Sequence, residues 1–270
     1  MTASLIFLLV EGRHDAEFMA RLLKLRGFEI RDKLSAIPKH FHKLFPDCFP
    51  ATDKTRLTQP HPVPGFYEAE GKWLVMLVGG GGESAPRLRN ALRTANINGF
   101  PPDALGVVID QDQYPTPEEA RDAFVIECQR KEGLPGGIDL NTSPGTIVDG
   151  APRTGLFVLP DNLHPGALED VLLECGEKNY KLLKDRAFAF RDEALTNCGL
   201  LANDTASYGE SGGQKDISKR KKAWVSAMGS ILVPAAAIQN SIRDNRWVEG
   251  DALELASVKS IAAFLGALIE

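Results

Sequence analysis

The stretch LIFLLVEGRHDAEFMARLLKLRG, Leu5 to Gly27, changes its periodicity halfway along, and that change decides the fold. Leu5 to Val10 is apolar without interruption, as a parallel strand covered on both faces must be. Glu11 and Gly12 end it. From His14 to Arg26 the spacing becomes helical, with Phe18, Leu22 and Leu25 on one side. Asp15 and Glu17 sit in the first turn, Arg21, Lys24 and Arg26 come late, and Gly27 supplies the stop.

The same step recurs downstream. Trp73 to Val78 reads as a second buried strand, Gly79 to Gly82 as a tight turn, and Ser84 to Asn96 as a helix with Ser84 as N-cap and Pro86 in the first turn. Ala104 to Ile109, ended by Asp110, precedes an acid-rich helix over Pro117 to Lys131. Thr154 to Leu159, ended by Pro160, precedes a helix over about Pro165 to Glu174. Strands alternating with helices over residues 1–175 predict an α/β fold: a Rossmann-like parallel sheet flanked by helices, joined by right-handed crossovers. Residues 32–67 interrupt the pattern with Pro38, Pro46, Pro50, Pro60, Pro62 and Pro64, which excludes a long helix or central strand and predicts an inserted arm or lid. Residues 176–270 read as a helical C-terminal part on the same core. Its helices run over Asn179 to Thr196, Ile217 to Leu232 and Val258 to Leu268, with a glycine- and serine-rich break from Ala206 to Gly213.

Composition narrows the function. The 270 residues are 43% hydrophobic and 25% charged, the mixture of a globular protein rather than a disordered chain. Lys and Arg number 31 against 36 acids, a net charge of -5, so a protein that coats nucleic acid by bulk charge is excluded and any phosphate binding must be local. The apolar run near the start is too short to span a membrane and no basic segment precedes it, so neither signal peptide nor membrane contact is expected. Cys48, Cys128, Cys175 and Cys198 form no CxxC pair and read as reduced, mostly buried thiols of a cytoplasmic protein.

In a parallel sheet the carboxyl ends of the strands share one rim, where ligands sit. Acids collect there: Glu11 after the first strand, Asp15 in the helix that follows, Asp110 and Asp112 at the third, and Asp161, Glu169 and Asp170 beyond the fourth. Any one of them serves equally well as a helix cap or turn former. Together they repel, and hard oxygen donors in that number call for Mg²⁺, Mn²⁺ or Ca²⁺. Lys215 to Lys222 sets five cations against Asp216, and it reads either as a solvated helix face or as a nucleic-acid contact. GGGGES lacks the GK[ST] ending of a nucleotide P-loop, so Gly80 and Gly81 are assigned to close approach of backbone and substrate. His40, His42 and His61 near Asp47 and Cys48 fit no zinc module, and Phe41, Phe45 and Phe49 read more simply as a hydrophobic cluster.

VEGRHDAEFMARLL (Val10 to Leu23) with VVIDQDQ (Val107 to Gln113) resembles a Toprim domain, with its glutamate after strand one and DxD after a later strand. The pattern is shared, more distantly, by topoisomerases, bacterial primases and nucleases of the overcoming-lysogenization-defect class. With LPDN (Leu159 to Asn162), GALED (Gly166 to Asp170) and the step Lys222–Ala223, the chain looks more closely like a prokaryotic Toprim-like family carrying a domain of unknown function. The resemblance covers nearly the whole chain except the proline-rich arm. It implies Mg²⁺ or Mn²⁺ held by Glu11, Asp15, Asp110 and Asp112, with Asp161 or Glu169 completing the shell, and Glu11 and Lys222 in catalytic roles. Asn162, Lys215, Lys219 and Arg220 would touch substrate. The implied activity is phosphodiester hydrolysis of the nuclease kind, with a partner ATPase left open. A noncatalytic module binding nucleic acid or protein, and phosphoryl chemistry on a small nucleotide under the arm as a lid, remain as alternatives.

Overall fold

The structure, a computed structural model, describes residues 4–45, 63–80, 82–130, 133–197 and 214–270, with backbone alone for 191, 192, 194–197 and 214–219. Its centre is a mixed seven-stranded sheet in the order β2-β3-β4-β1-β5-β7-β6. The strands are β1 (Ser4–Val10), β2 (Glu29–Ile30), β3 (Gly65–Ala69), β4 (Lys72–Val78), β5 (Ala104–Asp110), β6 (Ile147–Val148) and β7 (Arg153–Leu159). β4, β1, β5 and β7 are parallel, and β2, β3 and β6 add antiparallel edges.

The apolar run of β1 is explained by its place in the middle of this sheet. Leu5, Phe7 and Leu9 face one hydrophobic cluster, and Ile6, Leu8 and Val10 face the other. On the first face lie α2 (Ser84–Ile97), α3 (Pro117–Gln129) and Phe41 from the start of the arm. The opposite face carries α1 (Arg13–Leu25), α4 (Leu168–Asn179) and side chains of the C-terminal helices: α5 (Lys181–Asn197), α6 (Gln214–Leu232), α7 (Ile238–Asp244) and α8 (Ala256–Ile269). α1 ends where Gly27 predicts, with Gly27 at φ 82 and the Phe28 amide donating to the Leu23 carbonyl at 3.1 Å. Leu25, assigned to its apolar face, is 57% exposed; Met19 and Leu23 fill that face with Phe18 and Leu22.

Other boundaries are corrected. Ser84 is the first helical residue of α2 rather than its cap, because Glu83 occupies the cap position. α4 starts at Leu168, three residues after the expected Pro165, and a break at Tyr180 separates it from α5. β3 was hidden inside the arm; it pairs with β4 through a turn at Glu70 and Gly71, both at positive φ. The arm is not a free lid over its first part. Two short 3-10 turns, Leu34–Ala36 and Lys39–Leu44, bring Phe41 against Phe66, Trp73 and Phe100, closing one edge of the core. Residues 46–62, with Phe49, Asp47, Cys48 and His61, lie outside the described residues, as do Gly81, Cys198 and the break over 206–213. His40 meets Phe41 edge-on, and Cys128 and Cys175 are buried free thiols. Among the described residues no helix is long and apolar enough to cross a membrane.

α8 packs into a trough in the sheet: Gly106 of β5 and Gly155 of β7 are register partners, so two side chains are missing side by side. A Cβ at Gly106 would stand 2.4 Å from Leu268 Cδ2, and one at Gly155 would stand 2.3 Å from Ile147 Cδ1, 2.9 Å from Phe264 Cε2 and 3.1 Å from the Thr146 carbonyl oxygen. The last carbonyls of α8 accept from Lys72 (2.8 Å to Ile269 O) and Arg153 (3.2 Å to Leu268 O), cations placed at the negative helix end. We expect Gly155→Ala to cost about 1–3 kcal/mol by overpacking, seen in urea denaturation as a lower midpoint with unchanged slope. An unshifted midpoint would show that the trough has slack.

Candidate functional site

β1 hands the chain to α1 on one face and towards β4, whereas β5 hands it to α3 on the other face and towards β7. Their connections part in opposite directions, which opens a crevice at the carboxyl ends of these adjacent strands. A cleft of about 480 Å³ occupies it, lined by Glu11, Gly80, Ser84, Asp110, Asp112 and Tyr114 among others. Exits from the strands are tied together: the Gly79 amide donates to Val10 O (2.8 Å) and the Gly80 amide to Glu11 O (2.7 Å).

Two helix amino termini converge on the acids from the face opposite the cleft, and both are built alike. At α1 the Asp15 carboxylate reaches back to accept the Gly12 amide (2.7 Å), and at α4 Asp170 accepts the Ala167 amide (3.0 Å). Asp110 adds a link between elements, since its Oδ1 accepts the Leu168 amide in the first turn of α4 (3.0 Å). Glu169, the next residue, is buried beside it, and Asp15 is buried as well. The capping role open to Asp15 is therefore filled, and the same side chain belongs to the acidic group.

The carboxyls sense one another strongly. Burial, then repulsion from Asp15 and Asp112, pushes Glu11 up to about 8. Burial pushes Asp15 up to about 7, opposed by the Gly12 amide and reinforced by Glu169. Asp110 stands well above the ordinary carboxylate range, from burial and then from Asp15, Glu11, Glu169 and Asp112. Glu169 is raised by burial, against the pull of Lys222. Lys222 reaches the group from α6; burial opposes its charge, but Glu169, Asp110, Asp112 and Asp15 prevail and raise its pKa. His14 is lowered by burial and by that same lysine.

Five of the predicted metal residues, Glu11, Asp15, Asp110, Asp112 and Glu169, thus share one electrostatic neighbourhood with Lys222. Asp161 is placed elsewhere. Its carboxylate accepts the Leu163 and His164 amides (3.0 and 2.8 Å) and pairs with His164 Nδ1 (2.7 Å), and these bonds outweigh burial to hold its pKa low. It lines a second cavity of about 680 Å³ together with His164. Asn162, at φ 65, turns its Oδ1 to the Val158 amide (2.7 Å) and secures the turn after β7. Arg220 is exposed on α6, Lys221 pairs with Asp170 (2.5 Å), and the side chains of Lys215 and Lys219 are not described. Gly80, at φ 86, lines the cleft as a residue without a side chain.

Sequence reasoning missed Gln111. It is 1% exposed, donates from its backbone to Gly166 O (3.2 Å) and from Nε2 to Tyr114 O (2.9 Å) and Pro115 O (3.0 Å), and so shapes the loop carrying Asp112 at φ 50. Its signal, a buried amide between the two acids of DQD, carries no periodicity. Tyr114 and Phe124 of the cleft wall were also passed over.

As donors, these carboxylate oxygens fit a hard divalent cation, and their mutual repulsion favours one. In geometry, no group of three or more His, Cys, Asp or Glu side chains among the described residues is arranged to hold a metal ion.

Residues 6–228 match a family described as "Protein of unknown function (DUF3226)", and the chain belongs to that family. It is also similar to the crystal structure of hypothetical protein PH0156 from Pyrococcus horikoshii OT3, at 17% identity and a TM-score of 0.48, covering 98% of this chain and 95% of that one. No curated protein matches it.

The raised carboxyls make stability depend on pH. Each binds its proton more tightly folded than unfolded, so its contribution is complete below the unfolded value, about 4, and is lost as pH rises through the folded values, about 7 for Asp15 and about 8 for Glu11. We expect the Tm of chelator-treated protein to fall between pH 5 and pH 8.5, and Asp110→Asn to flatten that fall by removing a shared charge. A Tm that climbs over this window would show that the carboxyls are not coupled in this sense.

Proposed function

We propose that this DUF3226 protein is a divalent-cation-dependent phosphodiester hydrolase of the nuclease kind. The observation that carries the reading is the gathering of Glu11, Asp110 and Asp112 at a switch-point cleft, with Asp15, Glu169 and Lys222 behind them. The resemblance of the same residues to the Toprim pattern, glutamate after one strand and DxD after another, supports it.

Glu11, Asp110 and Asp112, not arranged as a ligand set in the structure described, would have to draw together to hold Mg²⁺ or Mn²⁺, with Asp15 and Glu169 adding negative charge from the α1 and α4 side. When bound, such a cation neutralises nonbridging phosphate oxygens and lowers the pKa of a water molecule. Glu11, half-buried on the cleft wall, would serve as a ligand of that cation or, alternatively, shuttle a proton at its carboxyl. Lys222, exposed and kept charged by four carboxylates, offsets charge growing on the phosphoryl oxygens. Gly80 leaves the backbone open to close approach, and the basic first half of α6 would attract a polyanion locally on an acidic chain.

A binding module that keeps the acids without turnover is the competing reading, favoured by the structural bonds that Asp15 and Asp110 make to helix amides. Incubation of DNA and RNA oligonucleotides with Mn²⁺ or Mg²⁺ separates the two. We expect hydrolysis that falls about 10³-fold in Asp110→Ala and about 10²-fold in Lys222→Ala, with thermal melts showing both variants folded. Binding of either polymer with no turnover under both cations would favour the module.

A further inference from the structure

The cleft has a second chemistry beyond its acids. Along α3, Ala120, Ala123, Phe124 and Glu127 face into it, a wall spanning two turns and about 10 Å, and Tyr114 joins this wall to the loop carrying Asp112. Phe124, Ile109 and Ala120, buried in the core, back the cleft, while Tyr114 and Ala123 are its partly exposed apolar surface, and the alanines present only methyl groups, which leaves room in the space. Glu127 stands at the far end of the wall, ion-paired to Arg130 at 2.7 Å. Carboxylates at both ends disfavour a phosphate along the wall, whereas a flat uncharged ring suits it. At about 480 Å³ the cleft falls in the range of sites that enclose a small molecule, and it admits one nucleoside rather than a paired helix.

Resting on the hydrolase reading, we infer that Tyr114 and the α3 wall seat one unstacked nucleobase, so that the strand delivered to Glu11, Asp110 and Asp112 is single-stranded at the reacting position. In a duplex the bases are stacked and offer only their groove edges, so a duplex would have to lose pairing to use this seat. A seat made of ring and methyl surfaces favours any base by its π-face and does not distinguish sequence.

The test uses the full chain with fluorescein-labelled 12-nucleotide single strands of DNA and of RNA, and the blunt duplex of the same sequence, in Mn²⁺. Anisotropy reads binding and gels read cleavage. We expect at least tenfold tighter binding of a single strand than of the duplex, with the two single-strand arms showing which sugar is accepted. Tyr114→Ala should weaken single-strand binding and raise KM about tenfold with kcat little changed, and Tyr114→Phe should restore both. Ala123→Leu, which fills the wall with a good helix former, gives the same loss should Tyr114→Ala fold poorly. Equal cleavage of duplex and single strand, unmoved by either wall variant, would overturn the seat and leave the hydrolase standing. Single-strand binding that depends on Tyr114 without any cleavage would uphold the seat and remove the hydrolase.

Discussion

Repulsion among carboxylates crowded at one end of a sheet is the constraint around which this molecule is arranged. Glu11 and Asp110 leave adjacent strands within one residue of the same level, both half-buried, and nothing in the sheet itself tolerates two anions there. The fold answers with positive ends of backbone. α1 and α4 both point their amino termini at the group, and amides of Gly12 and Leu168 are bonded to Asp15 and Asp110. One lysine from a helix more than a hundred residues further along the chain offsets what remains. Part of the cost persists as raised proton affinities of Glu11 and Asp15.

The parallel core was legible because its code is redundant. β1 reads as buried from its unbroken apolar run, α1 from spacing, charge order and Gly27 together, and the pattern repeats. Elements that escaped lack such redundancy. β2 and β6 have two residues each, too few for a period, and β3 sits among prolines that argue against a strand until its partner β4 is known. The two helices expected over about Pro165–Glu174 and Asn179–Thr196 are both present, but the break between them falls at Tyr180, which no glycine or proline announces.

For the site, residue type and order sufficed to collect Glu11, Asp15, Asp110, Asp112 and Glu169, since strand ends of a parallel sheet share a rim whatever the loops do. Lys222 came from resemblance rather than from pattern, because the chain alone does not say over which helix α6 will lie. Asp161 was misplaced for a similar reason: a carboxylate after a strand is equally suited to closing its own turn, and here two local amides and His164 take it. Gln111 stayed invisible because what it does is internal to one loop.

How α6 seats itself against α4 determines more than packing. Gly176 of α4 has no side chain, and Met228 of α6 lays its Cε over it, 2.8 Å from where a Cβ would stand, with Trp247 alongside. Successive residues on a helix are about 100° apart around its axis, and Lys221 and Lys222 are such neighbours, one clasping Asp170 and the other turned to the acids. Rotating α6 by a single residue would swing the ammonium of Lys222 off target as a key misses its ward, so the seat of Met228 over Gly176, under about two turns further along, keeps company with the placing of that charge.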